Sequence, residues 1–220
     1  LATSSAASDV YKRQEDDSKV PKNCSQDDIA LQLINSDIDL ALGGGKRHFL
    51  PLEIVSQKGK RTDSRNLIEE FKNSGGIYLN NESDFQNYKI DTKKRLIGLF
   101  ADSHFPYLAK EENKPSLLDL SNLAIEYLNK NKNGYYLLIE AGRIDHGHHA
   151  GKLNYVLRQT QQFNKLIQNI IQKVNLQETL LIVTADHAHS LGVNGYCGRG
   201  SKVNGICYRI NPKESKHQSK

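Results

Sequence analysis

The stretch YYLLIEAGRIDHGHHAGK, residues 135–152, carries the pattern that decides how this chain is read. It begins with YYLLIE (135–140), an apolar run of strand length that ends on the carboxylate of Glu140. Asp145, His146, His148 and His149 follow closely, separated by glycine. From 152 to 174 the chain places Leu153, Val156, Leu157, Phe163, Leu166, Ile167, Ile170 and Ile171 at helical spacing. A buried strand that passes through a ligand-rich turn into a long amphipathic helix is a building block of α/β folds. In open α/β sheets, ligands gather beyond the carboxyl ends of the strands.

Working outward, the alternation continues. SQDDIALQLINS (25–36) predicts a helix capped by Ser25, and DIDLALGGG (37–45) predicts a strand running into a glycine turn. DSRNLIEEFKNSG predicts a helix closed by Gly75. GIYL predicts a short strand, SDFQNYK a short helix and RLIGLF (95–100) an apolar strand. Residues 115–134 predict a long helix, with Pro115 near its start and Gly134 past its end. TLLIVTADH (179–187) is a further apolar run of strand length. Continuous apolar strands between amphipathic helices imply a mostly parallel sheet with helices on both faces. GGGKR (43–47) lacks the spacing of a phosphate-binding loop and reads as a strand-to-loop turn.

Two predicted strand ends carry metal-type ligands. The first offers Glu140, Asp145 and His149, and the second offers Asp186, His187 and His189. If the strands are parallel neighbours, both groups lie on one edge of the sheet. Asp145 and His149 stand i, i+4, so a helix presents both on one face, with His146 and His148 pointing elsewhere. A carboxylate with neutral imidazole suits Zn²⁺, whereas carboxylate oxygens alone suit Mg²⁺. Glu140 comes too early for the helical face and is better placed for a neighbouring, harder ion. Asp186 and His187 ligate together only where the backbone turns.

Composition bounds the alternatives. With 220 residues the chain is long enough for one sizeable core. The formal charge is +5, but the basic residues are scattered with no aromatic-interleaved stripe, so no nucleic-acid partner is expected. No run of 18 apolar residues occurs, which excludes a predicted transmembrane helix. The three cysteines, Cys24, Cys197 and Cys207, form no C-x-x-C, which excludes a zinc ribbon. A Cys197–Cys207 disulfide is left open. The chain contains no Met, and LATSSAASDVYKRQ (1–14) has no periodicity, so residues 1–14 read as a non-native leader. Residues 15–210 read as a partial catalytic domain, and 211–220 as a polar, disordered tail.

IEAGRIDHGHHAGK and TLLIVTADHAH resemble the two signature segments of the alkaline phosphatases. LALGGGKRHFLP, LIGLFADSHFPY, PSLLDLSNLAIEYL and GYCGRGSKVNGI resemble four further segments of that family, in the same order. The resemblance spans residues 23 to 207. It implies the alkaline-phosphatase-like α/β sandwich, here incomplete, and phosphomonoester hydrolysis with two Zn²⁺ and one Mg²⁺. It further implies that Glu140 binds Mg²⁺, Asp145 and His149 the first Zn²⁺, and Asp186 and His187 the second. His146 and His189 would support these ligands, while His148 receives no role. A homodimer at full length is implied, as is an extracytoplasmic location, either at a lipid-anchored cell surface or in the periplasm.

The departures from the family pattern are specific. Family members carry the nucleophilic serine in an Asp-Ser-Ala type segment, together with a bridging Asp and a phosphate-gripping Arg. No Asp-Ser-Ala segment occurs in these 220 residues. The family's remaining His ligand of the first Zn²⁺ has no match either, since His217 lies in an unlike stretch. Ala101 and Lys114 stand where animal members place calcium ligands, so calcium is not expected. The expectation is therefore a C-terminal-half fragment with no catalytic residue of its own. Two alternatives are a catalytically inactive metal- or partner-binding protein and another hydrolase of the same superfamily, such as a phosphodiesterase, sulfatase or phosphoglycerate mutase.

Overall fold

Ser25 opens the first helix as the sequence predicts. In the computed structural model, which describes residues 25–54, 58–108 and 115–189, the Ser25 side chain accepts from the Asp28 backbone N–H. The Asp28 carboxylate returns a bond to Ser25 N at 3.1 Å, completing a capping box on α1 (Gln26–Asn35). The order continues with β1 (Leu40–Gly43), a 3-10 turn (Lys46–Phe49), α2 (Leu67–Asn73), β2 (Ile77–Leu79), α3 (Glu82–Asn87) and β3 (Leu96–Leu99). The last three helices are α4 (Leu117–Leu128), α5 (Arg143–His149) and α6 (Leu153–Lys173). The leader at 1–14, Cys24, the Cys197–Cys207 pair and the tail at 211–220 lie outside the described residues.

The three strands form a parallel sheet in the order β1-β3-β2, with Leu40 opposite Leu96 and Ile77 opposite Leu96 from the other side. Period-two alternation sends side chains to opposite faces. Ala41, Ile97 and Leu99 pack against Ala30 and Ile34 of α1 and Leu67, Ile68 and Phe71 of α2. Leu40, Leu42 and Leu96 pack against Leu120, Ala124 and Leu128 of α4. Helices thus cover both faces, as the apolar strands require. Leu67 and Leu96 are fully buried, and each such leucine contributes about 1.5–3 kcal/mol. A third cluster joins Ile125 of α4 to Leu166 and Ile170 of α6.

Two turns fix the loops that matter for the site. Gly45 adopts φ +87°, and a Cβ on Gly44 would lie 2.1 Å from the Ser103 carbonyl oxygen. The close approach lets Gly45, Lys46 and Arg47 donate backbone bonds to Ser103, Ala101 and Asp102 at 2.9, 3.1 and 3.1 Å. GGGKR is therefore a strand-to-loop turn that ties the end of β1 to the loop after β3. At the end of α5, Gly151 at φ +62° donates to His148 O at 2.9 Å, and Lys152 N donates to Gly147 O at 3.0 Å. This Schellman closure reverses the chain directly into α6.

The strands predicted at 135–140 and 179–187 do not form. Both segments lack strand assignment, and no backbone hydrogen bond joins 135–139 or 180–185 to a neighbouring strand among the described residues. An apolar run makes a strand only when a ladder partner stands beside it. Alternation nevertheless survives in the first segment, where Leu137 and Ile139 pack inward while Tyr136 and Leu138 are exposed.

Candidate metal centre

The helix that the i, i+4 spacing requires is present. α5 places Asp145 and His149 on one face, with His149 Nε2 at 3.4 Å from Asp145 Oδ2. The loop at 186–189 brings His189 Nε2 to 3.7 Å from Asp145 Oδ1. The candidate ligand atoms of Asp145, His149 and His189 all lie within 4.8 Å of one another. Both Asp145 oxygens are buried, and neither accepts a hydrogen bond among the described residues. A buried carboxylate with idle oxygens is costly unless a charge compensates it. The spacing tests whether a cation fits. Two ligands about 2.0–2.1 Å from one tetrahedral zinc stand roughly 3.3 Å apart. The imidazole–carboxylate separations are slightly longer than that and too long for good hydrogen bonds, so the three residues fit a metal ion.

The loop after 185 turns at Asp186 and His187, and the His187 Nε2 lies 3.5 Å from Asp186 Oδ2. The His187 and His189 rings are 6.3 Å apart. Asp186 is exposed, whereas His187 is largely covered and its Nε2 has no hydrogen-bond partner among the described residues. These two residues therefore flank the Asp145 cluster without joining it.

His148 does not point away from the site, contrary to the helical-wheel expectation. Its ring stacks on His189 at 5.1 Å and 24°, while His149 meets His189 edge-on at 4.6 Å and 86°. His146 does turn to the opposite side. Its ring contacts His104 at 4.4 Å, and its Nδ1 accepts from Arg143 Nη1 at 2.9 Å. The Arg143 guanidinium lies 3.7 Å above the Tyr107 ring, Tyr107 stacks on Tyr155 at 4.4 Å, and the Tyr107 hydroxyl donates to His146 O at 2.8 Å. This stack pins α5 between α6 and the loop after β3, which holds the opposite face of α5 toward His189.

Glu140 lies apart from the Asp145 cluster. It lines a cavity of about 340 Å³ together with Gly44, Ser103, His104, Arg143 and His146. Electrostatics in this cavity favour neutral imidazoles. The His104 ring, although its outer edge meets solvent, is pushed down to about 4 by desolvation, then by His146, Arg143 and Arg47. Burial lowers His146, with Arg143 adding to the effect and Asp145 opposing it. Burial also lowers the Arg143 guanidinium.

Sequence reasoning missed His104, Tyr107 and His148. The first two follow the carboxyl end of β3, so the strand-end rule that selected Glu140 could have selected them too. No sequence signal distinguishes the stacking of His148.

The comparisons agree with the motif reading. A sequence model of the family described as alkaline phosphatase matches residues 2–219. The chain is 35 % identical to an alkaline phosphatase of Gadus morhua over 205 residues, covering 86 % of this chain and 43 % of the relative. It is 36 % identical to a membrane-bound alkaline phosphatase of Bombyx mori, covering 81 % of this chain and 35 % of the relative. It therefore spans less than half the length of either. The crystal structure of Thermus thermophilus alkaline phosphatase matches with a TM-score of 0.55 and 27 % identity, over 67 % of this chain and 30 % of that one. The solved relative carries the same α/β arrangement, the family uses metal ions, and the long ligand-bearing segments fall inside the matched span. On these grounds the chain belongs to the alkaline phosphatase family.

Proposed function

We propose that this chain supplies part of the metal centre of a phosphomonoester hydrolase that works with two Zn²⁺ and one Mg²⁺. The observation that carries this is the buried, hydrogen-bond-free Asp145 carboxylate facing His149 and His189 at 3.4 and 3.7 Å. Asp145 and His149 would hold the first Zn²⁺, Asp186 and His187 the second, and Glu140 the Mg²⁺. When bound, such cations clamp the attacking and leaving oxygens of an in-line displacement and stabilise the charge that develops on the phosphoryl group.

The chain's own residues do the positioning. The carboxylate of Asp145 draws both imidazoles to one point, and the ring of His148 holds His189 there. The stack of Arg143 on Tyr107 fixes the helix that bears Asp145. The sequence holds no Asp-Ser-Ala segment, so the 220 residues alone would bind Zn²⁺ but turn over little phosphomonoester. Family membership carries the substrate class. A homodimer and an extracytoplasmic setting belong to the same proposal.

Titration of the chain with Zn²⁺ by calorimetry, followed by X-ray absorption, tests it. The expected result is binding with mixed N/O ligation that is lost in His149→Ala. A chromogenic phosphomonoester with Zn²⁺ and Mg²⁺ at alkaline pH should show little hydrolysis. Strong turnover that disappears in His149→Ala would overturn the view that the nucleophile lies elsewhere.

A further inference from the structure

The turn that joins α4 to the segment ending in Glu140 carries an Asn-Gly pair. Residues 131–134 are all exposed. Two hydrogen bonds close the turn: Asn133 N donates to Asn131 Oδ1 at 3.0 Å, and Gly134 N donates to Asn131 O at 3.2 Å. Gly134 has φ +79°, a left-handed conformation that suits glycine, and no atom lies within 4 Å of where a Cβ would stand. The Asn133 side chain makes no hydrogen bond among the described residues. Among those residues, Asn133 is the one asparagine followed by glycine.

We propose that Asn133 is a site of spontaneous deamidation and isoaspartate formation. The deprotonated amide nitrogen of Gly134 attacks Cγ of Asn133. A bond forms between that nitrogen and Cγ, and the Cγ–Nδ2 bond breaks. Nδ2 leaves as ammonia, so the proton lost from the glycine nitrogen is balanced by the one the leaving group gains. Water then opens the resulting five-membered imide. Opening at the side-chain carbonyl gives aspartate. Opening at the main-chain carbonyl routes the backbone through Cβ and Cγ and gives isoaspartate. No electrons change hands, and water is the only co-reactant.

The local structure favours this position. Glycine leaves the attacking nitrogen unhindered, and the Asn133 amide is free to rotate toward it. Exposed turns open at little free-energy cost, so the 3.2 Å bond on Gly134 N is a weak guard. Asn73 gives the contrast. It is the last residue of α2, and the next amide, Ser74 N, donates to Glu70 O at 3.0 Å in the helix end. The reaction is base-promoted because the amide must lose its proton, so alkaline assay conditions hasten it. Isoaspartate lengthens the main chain just before Tyr135 and Leu137, which pack against Leu120, Ala124 and Leu128 of α4 and neighbouring strand residues.

The test holds the full 220-residue chain at pH 8.5 and at pH 6. Conversion is followed by peptide mapping and by methyl transfer from an isoaspartyl-specific methyltransferase. Asn133 should be lost faster at the higher pH, with both products formed, and at a rate close to that of the same chain unfolded in urea. Asn73 should persist in the folded chain. The pairs Asn194-Gly195 and Asn204-Gly205 lie outside the described residues and report on separate peptides. After equal ageing, the urea midpoint of the chain should fall below that of Asn133→Gln, which shares every other site. Survival of Asn133 in the folded chain but not in urea, or conversion indifferent to pH, would overturn the site. An aged chain as stable as the aged variant would overturn the effect on Tyr135 and Leu137.

Discussion

His148 lies nearly parallel to His189, with ring centroids 5.1 Å apart and planes at 24°. The contact sets the direction from which His189 approaches Asp145. Groups that orient a ligand affect affinity by roughly 10–100-fold. His148→Ala is therefore expected to weaken Zn²⁺ binding about tenfold, read by competition with a chromophoric chelator. His148→Phe keeps a stacking surface and should restore most of the affinity. Equal affinity in the wild type and the alanine variant would remove His148 from the site.

Gly147 faces α6 at the point where the two helices touch. A Cβ there would stand 3.0 Å from Val156 Cγ2 and 3.1 Å from Val156 N. The side chain could yield slightly, but the backbone nitrogen could not. Alanine would gain up to about 1 kcal/mol of helix propensity. Overpacking costs about 1–3 kcal/mol and should prevail. Gly147→Ala is expected to lower the unfolding free energy measured in urea by a net of about 1 kcal/mol and to weaken Zn²⁺ binding, because it displaces the helix that carries Asp145. A variant more stable than the wild type would contradict this packing.

How much was legible in the sequence follows from which interactions are local. Ser25, Gly75 and the Asp145–His149 spacing act within a few residues of chain, and each appears in the structure as read. The strands expected at 135–140 and 179–187 do not form, because a ladder needs a distant partner that no local pattern supplies. The stacking of His148 is invisible in the sequence for a related reason. Its partner, His189, lies 41 positions away along the chain (189 minus 148), in a loop that only folding brings near. Glu140 precedes the helix that carries Asp145 and lines the cavity beside His146.

Arg95 holds α1 to the sheet. Its guanidinium donates to Leu33 O, Ile34 O and Ile38 O at 3.0, 2.8 and 3.0 Å, and it lies 5.3 Å from the Phe71 ring centroid. The Leu33 and Ile34 carbonyls lie in the last turn of α1, where positive charge is favourable, and the Ile38 carbonyl lies in the connection to β1. Hydrogen bonds from charged donors contribute about 1.5–3 kcal/mol each when partners are lost, although water can replace some of them. Arg95→Met retains the apolar stem and should cost about 2–3 kcal/mol in chemical denaturation. A loss below about 0.5 kcal/mol, the range of ordinary surface changes, would mean that solvent substitutes for the guanidinium.

His104 and His146 make the fold sensitive to acid. Both imidazoles titrate below the ordinary value of 6.5 in the folded chain, His104 at about 4. The neutral state of His146 agrees with its Nδ1 accepting from Arg143, because an arginine only donates. In the unfolded chain both rings take up protons as pH falls through about 6.5. Between that value and the folded values the unfolded state binds more protons, so acidification favours unfolding. The stabilising preference for neutral rings is complete above pH 6.5 and is lost as pH falls toward 4. The urea midpoint should fall from pH 7.5 to pH 5, while raising the pH from 7.5 to 8.5 should change nothing through these rings. His104→Asn removes the more strongly shifted group and should flatten the acid limb. If that limb keeps its slope in the variant, and the His104 ring of the unsubstituted chain titrates near 6.5 by NMR, burial and the neighbouring Arg143 and Arg47 do not control it.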